Sequence, residues 1–178
     1  MQERSLEAGL AVEGYRIVRP EALPIEEQID LYLRAGRLIF ADGSAVHLWS
    51  LFGHPDQRAA LILRRPPDPH MVRWFDGLPR LDLSVHDNRI ADFSHRGGPS
   101  GKSAALLDLQ ALWSDLHQAG YHRSATPPGH PKAMLDAWIA AVIAGERALD
   151  ALPFEIDDHS RALLASRPSA PPSHPVES

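Results

Sequence analysis

The sequence predicts one α+β domain, in which an antiparallel sheet of about five strands within residues 37–95 is preceded by one helix and followed by two or three helices packed on one face. Three observations predict this fold. Short apolar runs separated by turn residues fill residues 37–95, and the apolar period becomes helical after residue 103. Strands followed by helices along the chain indicate an α+β fold rather than a parallel, doubly wound sheet. The 178 residues, 44% of them hydrophobic, suit one packed domain.

The first part of the chain contains one predicted helix. Residues 1–13 show no periodic pattern, so we expect a loosely ordered N-terminus before a domain that covers residues 14–166. Pro24 can occupy the first turn of a helix, and Gly36 can end it. Between them the apolar residues follow a helical stripe: Ile25, Ile29, Leu31, Tyr32 and Leu33.

The sheet is predicted from apolar runs at residues 37–40, 45–52, 59–63, 80–85 and 89–93, and residues 72–75 are a further candidate element. Asp42-Gly43 separates the first two runs, and Asp-Gly between apolar runs is a strong hairpin signal. Residues 86–88 make a second hairpin turn between the last two runs. In residues 80–85 apolar and polar side chains alternate, which is typical of an antiparallel sheet with one face in water.

Helices are predicted for the second half of the chain. The first spans residues 103–119 and ends at Gly120, because leucines and a tryptophan recur there on one stripe. A second helix is predicted over residues 131–149, where a proline occupies the first position, and a short third helix over residues 157–165. Residues 167–178 are rich in Pro and Ser and are predicted to be a disordered tail.

Composition excludes several classes of function. The net charge of -5 argues against nucleic-acid binding, which needs clustered Lys and Arg. A third, weaker alternative is nucleic-acid binding through the arginines of the middle segment: Arg64, Arg65, Arg73, Arg80, Arg89 and Arg96. The chain has no Cys, which excludes disulfides and thiolate metal sites, and its ten His are scattered without metal-ligand spacing, so we expect neither a metal nor another cofactor. The N-terminus lacks a signal-peptide pattern, and no apolar stretch approaches the roughly 20 residues that span a bilayer. We therefore expect a cytoplasmic protein without membrane contact.

A Gly-rich loop at residues 97–103 is the strongest candidate for a ligand site. It follows a predicted strand and opens a predicted helix, and the free N–H groups of a helix start bind anions. The loop ends like a Walker A motif, but Arg96 stands where that motif requires Gly, so a P-loop NTPase is excluded. The candidate anion-binding residues are Arg96, Gly97, Gly98, Gly101, Lys102 and Ser103. An ordinary connector of the same composition remains the alternative for this loop.

No catalytic constellation is recognisable, so the sequence favours a small non-enzymatic protein that binds another protein, such as an accessory, adaptor or immunity-type factor. Trp74 and its neighbour Arg73 are the candidate partner-binding residues, because an aromatic residue between turns is often a recognition anchor. The alternative function is a small enzyme or ligand-binding domain that uses the loop at 97–103 with nearby His and Asp side chains.

Overall fold

The structure, a computed structural model, describes residues 2–65, 73–75, 77, 81–95, 104–128, 154–156 and 162. Within these residues the helices are α1 (Gln2–Val12), α2 (Ile25–Arg34), α3 (Ser44–Phe52) and α4 (Leu109–Gln118), with a short 3₁₀ helix at Pro20–Ala22. The strands are β1 (Arg37–Ala41), β2 (Arg58–Ile62), β3 (Asp82–His86), β4 (Arg89–His95), β5 (Ala104–Leu107) and β6 (Phe154–Ile156). The predicted helices after residue 130 and the predicted tail lie almost wholly outside the described residues.

The chain is α+β, but the prediction of one antiparallel sheet of about five strands is wrong. Strands β1, β2 and β3 form a parallel sheet in that order. Strands β5, β4 and β6 form a second, antiparallel sheet, in which β4 is central. The described helices also do not pack on one face, because they cover both faces of the parallel sheet.

The first error comes from residues 45–52, which form helix α3 and not the second strand of a hairpin. The buried side chains of this helix are Val46, Trp49 and Ser50, at a spacing of three and four residues that places them on one helical face. A helix between β1 and β2 carries the chain back across the sheet, so the two strands run parallel.

The second error concerns β3 and β4, which do not form a hairpin. Strand β3 pairs with β2 in the parallel sheet, whereas β4 pairs with β5. Residues 104–107, predicted as helical, are strand β5, and Asp108 then begins α4 by accepting hydrogen bonds from the N–H groups of Gln110 and Ala111. The predicted end of this helix is confirmed: Gly120 follows it with a left-handed φ of 77°.

The core lies on both sides of β2, whose Ala59, Ala60 and Leu61 are fully buried. One face of the sheet packs against α1 and α4, and its buried residues are Leu6, Leu10, Ala60, Ile62, Leu107, Leu109, Leu112, Trp113, Leu116 and Tyr121. The other face packs against α2 and α3, with Tyr32, Leu38, Phe40, Val46, Trp49, Ala59, Leu61 and Leu63. Helix α1 thus belongs to the core and occupies the segment for which we expected loose order.

Gln57 ties α2 and α3 to the start of β2. Its side-chain oxygen accepts hydrogen bonds from the Trp49 indole at 3.0 Å and from the His54 backbone N–H at 2.9 Å. Its amide nitrogen donates to the carbonyls of Tyr32 and Ala35, both at 2.6 Å. Gln57 is only 4% exposed, so each side-chain polar atom is satisfied inside the protein, as burial of an amide requires.

Two buried tyrosines give a matched test of this packing. The Tyr32 hydroxyl has no hydrogen-bond partner within the described residues, whereas the Tyr121 hydroxyl lies 3.0 Å from Ser84 Oγ. We expect Tyr32→Phe to leave the free energy of unfolding unchanged or to raise it by up to about 1 kcal/mol, because an unpaired hydroxyl is removed. Tyr121→Phe should lower it by about 1 kcal/mol. Urea denaturation measures both, and a greater loss for Tyr32→Phe would contradict this description.

Candidate functional site

The carboxyl edge of the parallel sheet brings together the ends of β1, β2 and β3. In open α/β sheets, ligands bind at this edge, where strands end and helices begin. Here β1 is followed by Asp42, Gly43 and Ser44, and β2 is followed after one residue by Arg64 and Arg65. Since β1 and β2 pair directly, these two segments lie beside each other.

Asp42 fixes the geometry of this edge. Its carboxylate is buried and accepts two hydrogen bonds from Arg65, from Nε at 2.7 Å and from Nη2 at 3.2 Å. Its backbone carbonyl accepts a third bond, from Arg64 Nη2 at 2.7 Å. Its backbone N–H extends the β1–β2 pairing by donating to the Ile62 carbonyl at 2.8 Å. Two-pronged pairs of this kind between Arg and carboxylate fix orientation as well as adding energy.

Helix α3 begins at this edge without a side-chain cap. Its N-cap residue is Gly43, which has no side chain, and its first turn contains no acidic residue. A Cβ atom at Gly43 would lie 3.8 Å from Arg64 Nη2, so the guanidinium faces the start of the helix. By contrast, α4 is capped by the Asp108 carboxylate. The first turn of α3 therefore presents backbone N–H groups and the positive end of the helix dipole beside a guanidinium.

The carboxyl edge has two halves of different charge, one at the ends of β1 and β2 and the other beyond β3. Arg65 is paired with Asp42, whereas Arg64 donates to a neutral carbonyl, which leaves a net positive charge near α3. Beyond β3, Arg89 contacts two carboxylates, those of Asp87 and Asp92. The hydrogen bond from Arg89 holds the pKa of Asp87 below its ordinary value, so this half carries a net negative charge. Among the described residues of this edge, those at the β1–β2 half favour an anion and those beyond β3 do not.

A polar network lies on the face of the parallel sheet that packs against α1 and α4. Ser84 Oγ lies 2.9 Å from His86 Nε2 and 3.0 Å from the Tyr121 hydroxyl, and the Tyr15 hydroxyl donates to the Tyr121 carbonyl at 2.6 Å. Burial lowers the pKa of the His86 imidazole, and the Asp115 carboxylate acts in the opposite sense. This network anchors residue 121 against β3, and burial favours the neutral form of the His86 imidazole.

The candidate site residues predicted from sequence belong to two segments of the chain. Arg73 and Trp74 are both exposed, in one helical turn at residues 73–75. The Trp74 indole donates to Ser50 Oγ at 3.0 Å, so this turn packs on α3. The loop at 97–103, with its flanking Arg96 and with Gly97, Gly98, Gly101, Lys102 and Ser103, lies outside the described residues.

Sequence reasoning missed the residues at the carboxyl edge. Asp42-Gly43 was expected to be a hairpin turn, and Arg64 and Arg65 were named only within a weaker alternative, nucleic-acid binding. The available signal was the spacing of Val46, Trp49 and Ser50 after the glycine. A strand followed by a Gly and then by a helical stripe is the pattern that places a helix start at a sheet edge.

No protein-family model, curated protein or solved structure significantly matches the chain. Within the described residues, no three His, Asp or Glu side chains converge in a way that could hold a metal ion. Nor does any helix in that part of the chain have the length and hydropathy needed to cross a bilayer. The assignment of function therefore depends on the geometry of the carboxyl edge.

The role of Asp42 predicts a clear difference between two Asp-to-Asn substitutions. Asp42→Asn should lower the free energy of unfolding by about 1.5–3 kcal/mol, because a buried charge-assisted pair is lost. Asp30→Asn is the control, since Asp30 pairs with Arg34 on the exposed surface of α2. Its effect should stay within about 0.5 kcal/mol. Urea denaturation measures both, and equal small losses would show that Asp42 does not hold the edge.

Proposed function

We propose that this chain is a ligand-binding domain and that its ligand carries an oxyanion, a phosphate or carboxylate group. The ligand binds at the carboxyl-edge site, formed by Gly43, Ser44 and Arg64. The observation that carries the proposal is the uncapped start of α3, which faces the Arg64 guanidinium at the edge of a parallel sheet. Such edges are where α/β sheets bind ligands.

Three physical features support an oxyanion as the group that is bound. The N–H groups at the start of α3 point along the helix axis, and the dipole favours negative charge there. Gly43 lets an oxygen atom approach the backbone closely. One Nη2 bond to the Asp42 carbonyl orients Arg64, and none of the described residues accepts a bond from its other donors, which suit a planar or tetrahedral oxyanion.

Gly43→Asp tests the site because stability and binding should change in opposite directions. The new carboxylate would cap α3 and lie beside Arg64, so the free energy of unfolding should rise by a few tenths to about 1 kcal/mol. The same carboxylate would occupy the anion position. Calorimetric titration with pyrophosphate, and separately with succinate, should show binding to the parent chain and none to Gly43→Asp.

Arg64→Gln should weaken binding of the same probe roughly 10- to 100-fold, because a charge-assisted contact is lost. Arg34→Gln is the matched control, since Arg34 is an exposed Arg on α2 that pairs with Asp30. It should leave the affinity unchanged. If neither probe binds the parent chain, or if Arg34→Gln weakens binding as much as Arg64→Gln, the proposal is wrong.

A second proposed function, binding of a protein partner, is favoured by a different observation. Trp74 is 47% exposed, and near it the C-terminal end of α3 leaves Leu51 at 57% and Phe52 at 44% exposure. Large apolar side chains exposed together are typical of protein-binding surfaces. Trp74 and Arg73 would be the anchors on this surface, as predicted from sequence.

Trp74→Ala tests this second proposal. A true partner should be enriched by the parent chain from host extract, lost with Trp74→Ala and retained with the control Leu33→Ala, an exposed residue on α2. The purified partner should then bind the variant at least about 30-fold more weakly, since a hot-spot residue contributes 2 kcal/mol or more. A partner that binds Trp74→Ala and the parent chain equally would remove this surface from consideration.

A further inference from the structure

The segment that follows Tyr121 packs against α1 and α4, and we call residues 122–128 the strap. The Trp113 indole of α4 donates to the Ser124 carbonyl at 2.8 Å. The carboxylate of Glu13, at the end of α1, accepts the backbone N–H groups of Arg123 at 2.8 Å and of Ser124 at 3.1 Å. A groove of about 450 Å³ lies between α1 and the strap.

His122 is the buried contact of the strap. The residue is 5% exposed, and its ring stacks on Trp113 with 3.8 Å between ring centroids. Its Nε2 lies 3.0 Å from the Trp113 carbonyl. A carbonyl only accepts, so Nε2 carries the proton in the neutral ring and Nδ1 keeps a lone pair. Within the described part of the chain, Nδ1 of the neutral ring is buried and makes no hydrogen bond, so a second proton there would place a charge inside the protein.

We propose that the strap is a pH-sensitive closure, which neutral pH holds against α1 and α4 and which mild acid releases to open the groove. The inference is independent of the carboxyl-edge site, because α1 and α4 cover the other face of the sheet from α3. Release would expose the Trp113 side chain, Gly9 and Pro128, which line the groove and pack against one another in the structure.

The charged groups around His122 come from each element that packs against it. Burial lowers the pKa of its imidazole, and His117 on α4 acts in the same sense. The Trp113 and Ser124 carbonyls and the Glu13 carboxylate act in the opposite sense and offset part of this effect. The pKa of the Glu13 carboxyl group is lowered, chiefly because it accepts a hydrogen bond from the Arg123 backbone N–H.

Protonation of His122 and protonation of Glu13 both destabilise the closed strap. A histidine in the unfolded chain titrates near about pH 6.5, and His122 titrates lower in the folded protein. The stability that its neutral ring contributes is thus present above that pH and is lost as the pH falls through the folded pKa. The contribution of Glu13 is lost at still lower pH, since its folded pKa is below the ordinary value for a Glu. His122 therefore sets the first step of release.

A fluorophore next to Trp113 can report release in the full chain. The chain has no native Cys, so Ala125→Cys accepts a single bimane label at an exposed position. Its neighbour Ser124 contacts the Trp113 indole, which quenches bimane at close range. We expect the fluorescence to rise reversibly as the pH falls from about 7.5 to about 5.5, with a midpoint below about 6.5. The far-ultraviolet circular dichroism should stay constant.

Two substitutions of His122 decide whether this residue is the switch. His122→Gln keeps an N–H donor for the Trp113 carbonyl, and His122→Phe keeps the stacked ring, but neither side chain titrates. Both should remove the pH-dependent rise, whereas the control His54→Gln, at an exposed histidine beyond the end of α3, should retain it. Equal rises in the parent and in both His122 variants would overturn the proposal. So would a constant signal in the parent, or a loss of helical signal that accompanies the rise.

Discussion

Burial of β2 on both faces is the constraint on which the rest of the structure depends. Ala59, Ala60, Leu61 and Ile62 are between 0% and 4% exposed, so neither face of this strand contacts water. A strand buried on both sides needs helices on both sides: α2 and α3 cover one face, and α1 and α4 cover the other. The parallel pairing of β2 with β1 requires a crossover connection, which α3 supplies. The same pairing collects the strand ends at one edge, which creates the candidate site.

The elements that sequence predicted correctly are those whose signal is local. Helix α2 follows a stripe bounded by Pro24 and Gly36, and β1 and β2 are short apolar runs. Helix α3 was missed because its apolar residues are nearly continuous, with a mixture of strand and helix spacings that only tertiary packing resolves. That one error also gave the wrong strand direction, because a hairpin joins antiparallel strands, whereas a helical crossover joins parallel strands.

The candidate site was predictable only in part, because its residues converge from separate strands. Asp42 and Arg65 are 23 positions apart and meet only because β1 and β2 pair in parallel register. The net charge of the chain did not indicate this site, because it is -5 although the β1–β2 half of the edge is locally positive. The roles of Gln57 and His122 could not be predicted for the same reason. Both depend on burial between helices that are distant in sequence and meet only in the folded protein.

Nuclear magnetic resonance of the ¹⁵N-labelled chain during titration with pyrophosphate tests the central claim most directly. Helix α3 is uncapped and faces Arg64, whereas Asp108 caps α4, so the protein contains its own control. The account predicts saturable shifts of the Ser44 and Ala45 amides and of the Arg64 side-chain N–H signal, with the Gln110 and Ala111 amides unchanged. Shifts at α4 equal to those at α3, or no shift at Ser44 and Ala45, would contradict it.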